Sequence, residues 1–234
     1  MKEKRRLAVI TARGGSKRIP KKNIRDFLGK PIICYSIETA LGSGIFDEVM
    51  VSTDSEEIAG VAKSFGAEVP FMRSPETSDD RATTADVLSE VLREYEKRGA
   101  YFDELCCIYP TAPFVRPDDL KKAAELMSEK GADTVMSVVR FSFPPRRALL
   151  MRDGRLVAHY PEDQLKRSQD LEAEYHDCGQ FYLLDVKAFK AQQAVVMKDT
   201  AGIEMEERRV QDIDTEEDWV MAELKYKMLT EQGI

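Results

Sequence analysis

The sequence has no run of about 18 apolar residues, the length a membrane-spanning helix needs. Histidine is almost missing: His159 and His176 are the only two, and they share no metal-ligand spacing. Four cysteines, Cys34, Cys106, Cys107 and Cys178, form no C-x-x-C pair and no zinc pattern. They read as reduced, small, buried residues. Positive charge is in deficit, with 35 Lys and Arg against 42 Asp and Glu, net −7. That argues against a general nucleic-acid binder. Only four apolar residues, Leu7-Ala8-Val9-Ile10, follow the charged N-terminus, whereas a secretory leader needs roughly 7–15. The expectation is a cytoplasmic protein. No internal repeat, no G-x-x-x-x-G-K-[ST] and no G-x-G-x-x-G occurs.

What the chain does have is punctuation. Its 234 residues, 43% hydrophobic, suit a single domain with an insertion. Leu7–Ile10 is too short for a helix and right for a buried strand. The segment from Pro31 to Leu41 reads as a helix, Phe46–Asp54 as a strand, and Asp54 to about Phe65 as a helix stopped by Gly66. Ala67–Phe71 reads as a third, shorter strand. This alternation predicts an α/β fold, a three-layer, Rossmann-like, mostly parallel sheet with helices on both faces. Further helices are expected at about 85–98, from Asp118, at 185–191 and from Thr215 to about Leu229, the last packing Trp219, Leu224 and Met228. Further strands are expected at 105–109, 134–139, 179–184 and 207–214. Between about 140 and 175 proline, arginine and broken segments replace the pattern, which reads as an insertion leaving the sheet.

In such a sheet ligands gather at the carboxyl ends of the strands. Ala12-Arg13-Gly14-Gly15-Ser16 follows the first strand there, with Lys17, Arg18, Lys21 and Lys22 close behind. Adjacent glycines let backbone N–H groups approach phosphate, and five cations suit a triphosphate. A solvated basic turn is the plainer alternative. Asp212 and Asp214, two apart on an expected strand, would share a side and suit Mg²⁺. The alternative is local: Asp214 or Thr215 caps the last helix.

The spelling A-R-G-G-S-K-R-x-P-x-K-N over 12–23 resembles the signature loop of the CMP-nonulosonic acid synthetases, the acylneuraminate cytidylyltransferases. Val51-Ser52-Thr53-Asp54-Ser55, Tyr109-Pro110-Thr111-Ala112-Pro113, Arg167-Ser168-Gln169-Asp170-Leu171 and Asp212-Ile213-Asp214-Thr215 resemble further family motifs, from Leu7 to Trp219. The resemblance implies CTP and a nine-carbon 2-keto acid sugar as substrates and Mg²⁺ as cofactor, with CMP joined to the sugar and pyrophosphate released. Arg13, Lys17 and Lys21 would stabilise charge during catalysis. Ala12, Arg13, Gly14, Gly15, Ser16, Lys21, Asn23, Arg73, Ala82 and Thr83 would hold the nucleotide. Tyr109, Thr111, Arg167, Gln169, Gln180 and Tyr182 would hold the sugar, and Asp212 and Asp214 the metal. The plainer readings are a surface arginine for Arg73, a helix cap for Thr83 or Thr84, a salt bridge for Arg167 and structural roles for His159 and His176. Tyr109, the His159–Asp163 segment and the His176–Tyr182 segment depart from the sialic acid pattern and most resemble the branch that activates pseudaminic acid. By the same resemblance the insertion reaches a partner subunit in a homodimer. The same α/β pattern also fits a metal-dependent glycosyltransferase consuming a nucleotide-sugar, or a nucleotide-binding regulator, and pyrophosphate release separates these.

Overall fold

The computed structural model describes residues 4–231. In chain order the elements are β1 (Arg6–Thr11), a short hairpin of β2 (Asp26–Phe27) and β3 (Lys30–Pro31), α1 (Ile33–Ser43), β4 (Glu48–Ser52), α2 (Glu56–Ser64), the single turn α3 (Pro75–Ser78) and α4 (Thr84–Lys97). They continue with β5 (Glu104–Ile108), α5 (Pro117–Lys130), β6 (Thr134–Arg140), β7 (Leu149–Arg152), β8 (Arg155–Ala158), β9 (Tyr175–Asp185), α6 (Val186–Gln192), β10 (Thr200–Glu204) and α7 (Glu216–Glu231).

Six strands form one sheet in the order β10-β6-β9-β5-β1-β4. All neighbours run parallel except β9, which is antiparallel to β5 and β6. The strand β1 is buried on both faces because it is apolar at every position from Leu7 to Ile10. Its alternate residues serve different layers. Ala8 and Ile10 meet α1, α2 and α5 through Ile37, Ile58 and Leu120. Leu7 and Val9 meet α4 and α6 through Leu88, Val91 and Phe189. A third cluster fixes α7 against the β2–β3 hairpin through Trp219, Phe27 and Phe114. The chain leaves β1 for β4 on one side, then returns to β5 on the other. Strand order therefore reverses beside β1, which opens a crevice at its carboxyl end.

Three expectations need correction. The strand expected at Ala67–Phe71 contributes only one parallel bridge, Glu68 to Met50. The segment 207–214 is not a strand: it starts as a 3-10 turn, Glu207–Arg209, and continues as irregular extended chain. The sheet edge is instead β10, parallel to β6. Along α7, Trp219 is buried as expected, but Leu224 and Met228 face solvent while Ala222 and Leu229 turn inward. Between β6 and β9 the chain adds a separate two-stranded sheet, β7 with β8.

Candidate active site

The carboxyl ends of β1 and β5 meet the segment from Arg73 to Val87 in a cavity of about 580 Å³. Its wall contains Arg13, Ser16, Lys17, Asn23, Arg73, Ala82, Thr83, Tyr109 and Thr111 from the expected site, together with Arg18, Lys22, Asp79, Asp80 and Thr84. Residues nearly a hundred positions apart in sequence thus converge on one space.

The loop after β1 is held in shape before any ligand arrives. Gly14 donates its N–H to Asp54 Oδ1 at 2.7 Å, and Asn23 Nδ2 donates to the Arg13 carbonyl at 2.9 Å. A Cβ on Gly14 would lie 3.1 Å from Ser55 Cβ, closer than side chains pack without movement. A Cβ on Gly15 would meet nothing within 4 Å, so this peptide borders open space. Asn23 therefore braces the loop, a task its side-chain amide performs from a buried position.

The five cations of the loop are already matched with carboxylates. Arg13 Nη1 donates to Asp80 Oδ1 at 2.8 Å and to the Asp79 carbonyl at 3.2 Å. Lys17 Nζ pairs with the other oxygen of Asp80. Lys21 Nζ turns away to Glu57, 2.7 Å. Arg18 and Lys22 lie 2.8 and 3.5 Å from Asp214 Oδ1. Lys17, then Arg13, holds the Asp80 carboxyl below its ordinary range. Lys21 does not line the cavity, and neither do Ala12, Gly14 and Gly15, although they belong to the loop that does.

Arg73 is not a surface arginine. It is buried, and donates from Nε to Ser52 Oγ at 3.0 Å and from Nη2 to the Ser52 carbonyl at 2.6 Å. Burial draws its pKa down, with Asp54 and Glu90 opposing. Its guanidinium is a fixed positive wall of the cavity. Thr83 is the cap of α4: its Oγ1 accepts from Asp86 N–H at 3.2 Å while Asp86 returns the bond to Thr83 N–H at 2.8 Å. Capping does not remove Thr83 from the cavity wall. Beside it the Thr84 and Tyr109 hydroxyls lie 3.2 Å apart. Burial raises the Tyr109 pKa, so this phenol is a neutral hydrogen-bonding group and not a base.

The remaining expected residues are dispersed. Gln180 and Tyr182 are buried in β9: Gln180 Nε2 donates to the Arg209 carbonyl at 2.7 Å, and the Tyr182 hydroxyl donates to Asp177. Gln169 lines a separate cavity of about 390 Å³ with Arg140, Phe141 and Glu207. Arg167 is exposed and paired with Asp170 at 2.8 Å. His176 lies against Phe141 and His159 against Tyr160, with centroids 4.7 and 4.3 Å apart.

Asp214 stands next to the cavity through Arg18 and Lys22, Asp212 lies two residues before it, and neither lines the cavity. Neither caps α7. That task belongs to Thr215, whose Oγ1 accepts from Asp218 N–H at 3.2 Å, and to Asp218, whose Oδ2 accepts from Thr215 N–H at 2.8 Å. Desolvation, then the charge of Asp214, raises the Asp212 carboxyl. Two crowded carboxylates left out of the cap fit a divalent cation, which would relieve their repulsion. Among the described residues no group of three or more His, Cys, Asp or Glu is placed to hold a metal. A two-carboxylate set suits Mg²⁺, which takes most of its ligands from water and phosphate.

Asp79 and Asp80 were not among the expected site residues, although Arg73, Ala82 and Thr83 on either side of them were. The one signal was charge: two adjacent acids in a chain whose loop after the first strand carries five cations in ten residues.

The cytidylyltransferase family model matches residues 7–227. A pseudaminic acid cytidylyltransferase of Campylobacter jejuni is 41% identical over 223 residues, 95% of this chain and 96% of its own length. A CMP-N,N'-diacetyllegionaminic acid synthase of Legionella pneumophila is 33% identical over 219 residues, 93% and 94% of the two chains. A CMP:2-keto-3-deoxy-manno-octonic acid synthetase solved with CTP shares the fold, with a TM-score of 0.68 at 18% identity over 97% of this chain and 99% of that one. The basic glycine loop at a strand-order reversal is thus embedded in a sequence similar from end to end to nucleotide-transferring enzymes, and the chain belongs to the cytidylyltransferase family.

Proposed function

We propose that this enzyme transfers CMP from CTP to the anomeric hydroxyl of a nine-carbon 2-keto acid sugar, pseudaminic acid, and releases pyrophosphate. The convergence of Arg13, Lys17, Arg73 and Tyr109 on one cavity carries the reading, supported by identity of 41% along nearly all of a relative with that activity in its name. In the transfer the sugar oxygen bonds to the α-phosphorus as the bond from that phosphorus to the β-phosphate oxygen breaks. The hydroxyl proton passes to solvent, and the electron pair leaves with pyrophosphate. Arg13 and Lys17 face the growing charge on the leaving group, with Lys21 close by on the same loop. Arg73, Ala82 and Thr83 form the wall for the cytosine, and Thr111 and Tyr109 the side nearest β9. The protein contributes chiefly position and charge.

Asp212 and Asp214 are the residues that would hold Mg²⁺. When bound, the ion would neutralise phosphate charge and lower the pKa of an oxygen beside it. A homodimer would bring the sugar-side arginine, Arg167, to the partner's cavity; the exposed apolar side chains of the insertion support that arrangement. Four free, buried cysteines accord with the reducing setting of the cytoplasm.

The test is pyrophosphate release from CTP and Mg²⁺ with pseudaminic, legionaminic, N-acetylneuraminic and 3-deoxy-octulosonic acids offered separately. Release with pseudaminic acid alone is expected. Release only with another acid retains the transfer and discards the sugar. No release with any of the four removes the transfer reading itself.

A further inference from the structure

The carboxylate of Asp80 occupies the basic loop in a way that a phosphate group would. Its Oδ1 accepts from Arg13 and its Oδ2 pairs with Lys17, one oxygen to each cation. The turn that presents it is self-supporting, because Asp79 Oδ1 accepts the N–H groups of Arg81 at 2.8 Å and Ala82 at 2.7 Å. The Asp79 carbonyl adds a second contact to Arg13. Both partners of Asp80 line the cavity with it, and so do Ala82 and Thr83 at the end of the same turn.

We infer that Asp80 is an internal competitor for the triphosphate: it fills the Arg13–Lys17 cradle in the free enzyme, gives way when nucleotide binds, and returns as pyrophosphate leaves. The inference rests on the reading of this cavity as a triphosphate site. The physical reason is an exchange of anions. Asp80 and the cations are all partly exposed, so each pair is worth little in water, and a polyphosphate with several charges displaces a single carboxylate easily. The exchange keeps two cations from standing unpaired without ligand, and it also weakens the hold on the leaving group. Asp80 thus sets affinity for phosphate and leaves affinity for the base alone.

The experiment compares Asp80→Asn and Asp80→Glu with the unaltered chain by calorimetry, using CTP, pyrophosphate and cytidine in magnesium-free buffer. Asp80 is exposed and outside the core, so Asp80→Asn folds. Expected are Kd values about 3- to 10-fold lower for CTP and pyrophosphate in Asp80→Asn, an unchanged Kd for cytidine, and near-parental values for Asp80→Glu. In turnover the same variant should show a lower KM for CTP and stronger inhibition by pyrophosphate. Unchanged or weaker phosphate binding overturns the inference, and equal tightening of cytidine overturns it too, because competition for the cradle does not touch the base. If the unaltered chain binds pyrophosphate but not CTP, the cytidylyl-transfer reading falls, and the pyrophosphate comparison still decides the role of Asp80.

Discussion

Asp212 and Asp214 are accessible carboxylates on irregular chain, and their value lies in charge and not in packing. Replacing either by alanine removes no core contact, so the thermal midpoint should change little. Turnover should fall by about two to three orders of magnitude, the loss typical of a removed charge-stabilising group. A loss under tenfold in both variants takes the metal role away from the pair. Tyr109 gives a second prediction at this scale. Tyr109→Phe loses the hydroxyl partner of Thr84 and costs about 1 kcal/mol of stability. Tyr109→Gln restores a polar group of different reach, and should shift the ratio of kcat/KM between pseudaminic and N-acetylneuraminic acids. An unchanged ratio removes Tyr109 from sugar selection. The place of Tyr109 in the cavity wall was legible because motif spelling is local. Asp80 was not, because its meaning depends on a contact 63 residues away with Lys17.

The elements of the nucleotide side were legible because their sequence signals are local. Leu7–Ile10 is a buried strand by composition, Gly66 follows the end of α2 as expected, and the helix expected from Asp118 begins one residue earlier, at Pro117. The 207–214 segment was misread because its alternation of Val210, Asp212 and Asp214 mimics a strand, while its backbone is claimed by side chains. Lys225 Nζ donates to the Val210 carbonyl at 2.7 Å, and Lys22 Nζ to that of Ile213 at 2.7 Å. The true edge, Thr200-Ala201-Gly202-Ile203-Glu204, carries a glycine at its centre and no alternation of apolar and polar residues. Its one tell is tertiary: a Cβ on Gly202 would lie 3.1 Å from Val138 Cγ2 on the neighbouring strand. What fixes the misread segment is Arg209. It is buried, donates to both oxygens of Asp119 and, at 2.9 Å, to the Phe114 carbonyl. It ties the acidic segment to α5 and to the loop after β5 at once. Arg209→Ala leaves Asp119 buried without its cation, keeping only the bond from Arg116 N–H, with an expected cost of about 3–5 kcal/mol, measured as a shift in urea midpoint. A cost below 1 kcal/mol means that the tie is not what holds the segment.

At the scale of the whole molecule two properties follow from what is exposed and what is not. The insertion leaves Phe143 88%, Met151 73% and Leu165 99% exposed, an apolar surface that water does not favour and a second copy would cover. Light scattering should give twice the chain mass, and Met151→Lys with Leu156→Lys should return one chain mass with the core intact by circular dichroism. A single-chain mass for the unaltered protein removes the dimer. The interior sets the second property. Burial pushes the thiols of Cys34 and Cys178 up to about 11 and that of Cys107 to about 12, from 9.0. Below pH 9 these thiols are protonated in both folded and unfolded chains and cost nothing. Above it the unfolded chain ionises first, so stability is fully present below about pH 9 and is lost as the pH rises through about 11–12. The urea midpoint should therefore be lower at pH 10 than at pH 7.5. At pH 8 a thiol reagent should label no cysteine of the folded chain and all four after denaturation. A midpoint that holds steady to pH 10, or labelling in the folded state, would mean that the thiols reach solvent and that the sheet around β5 opens more readily than its packing allows.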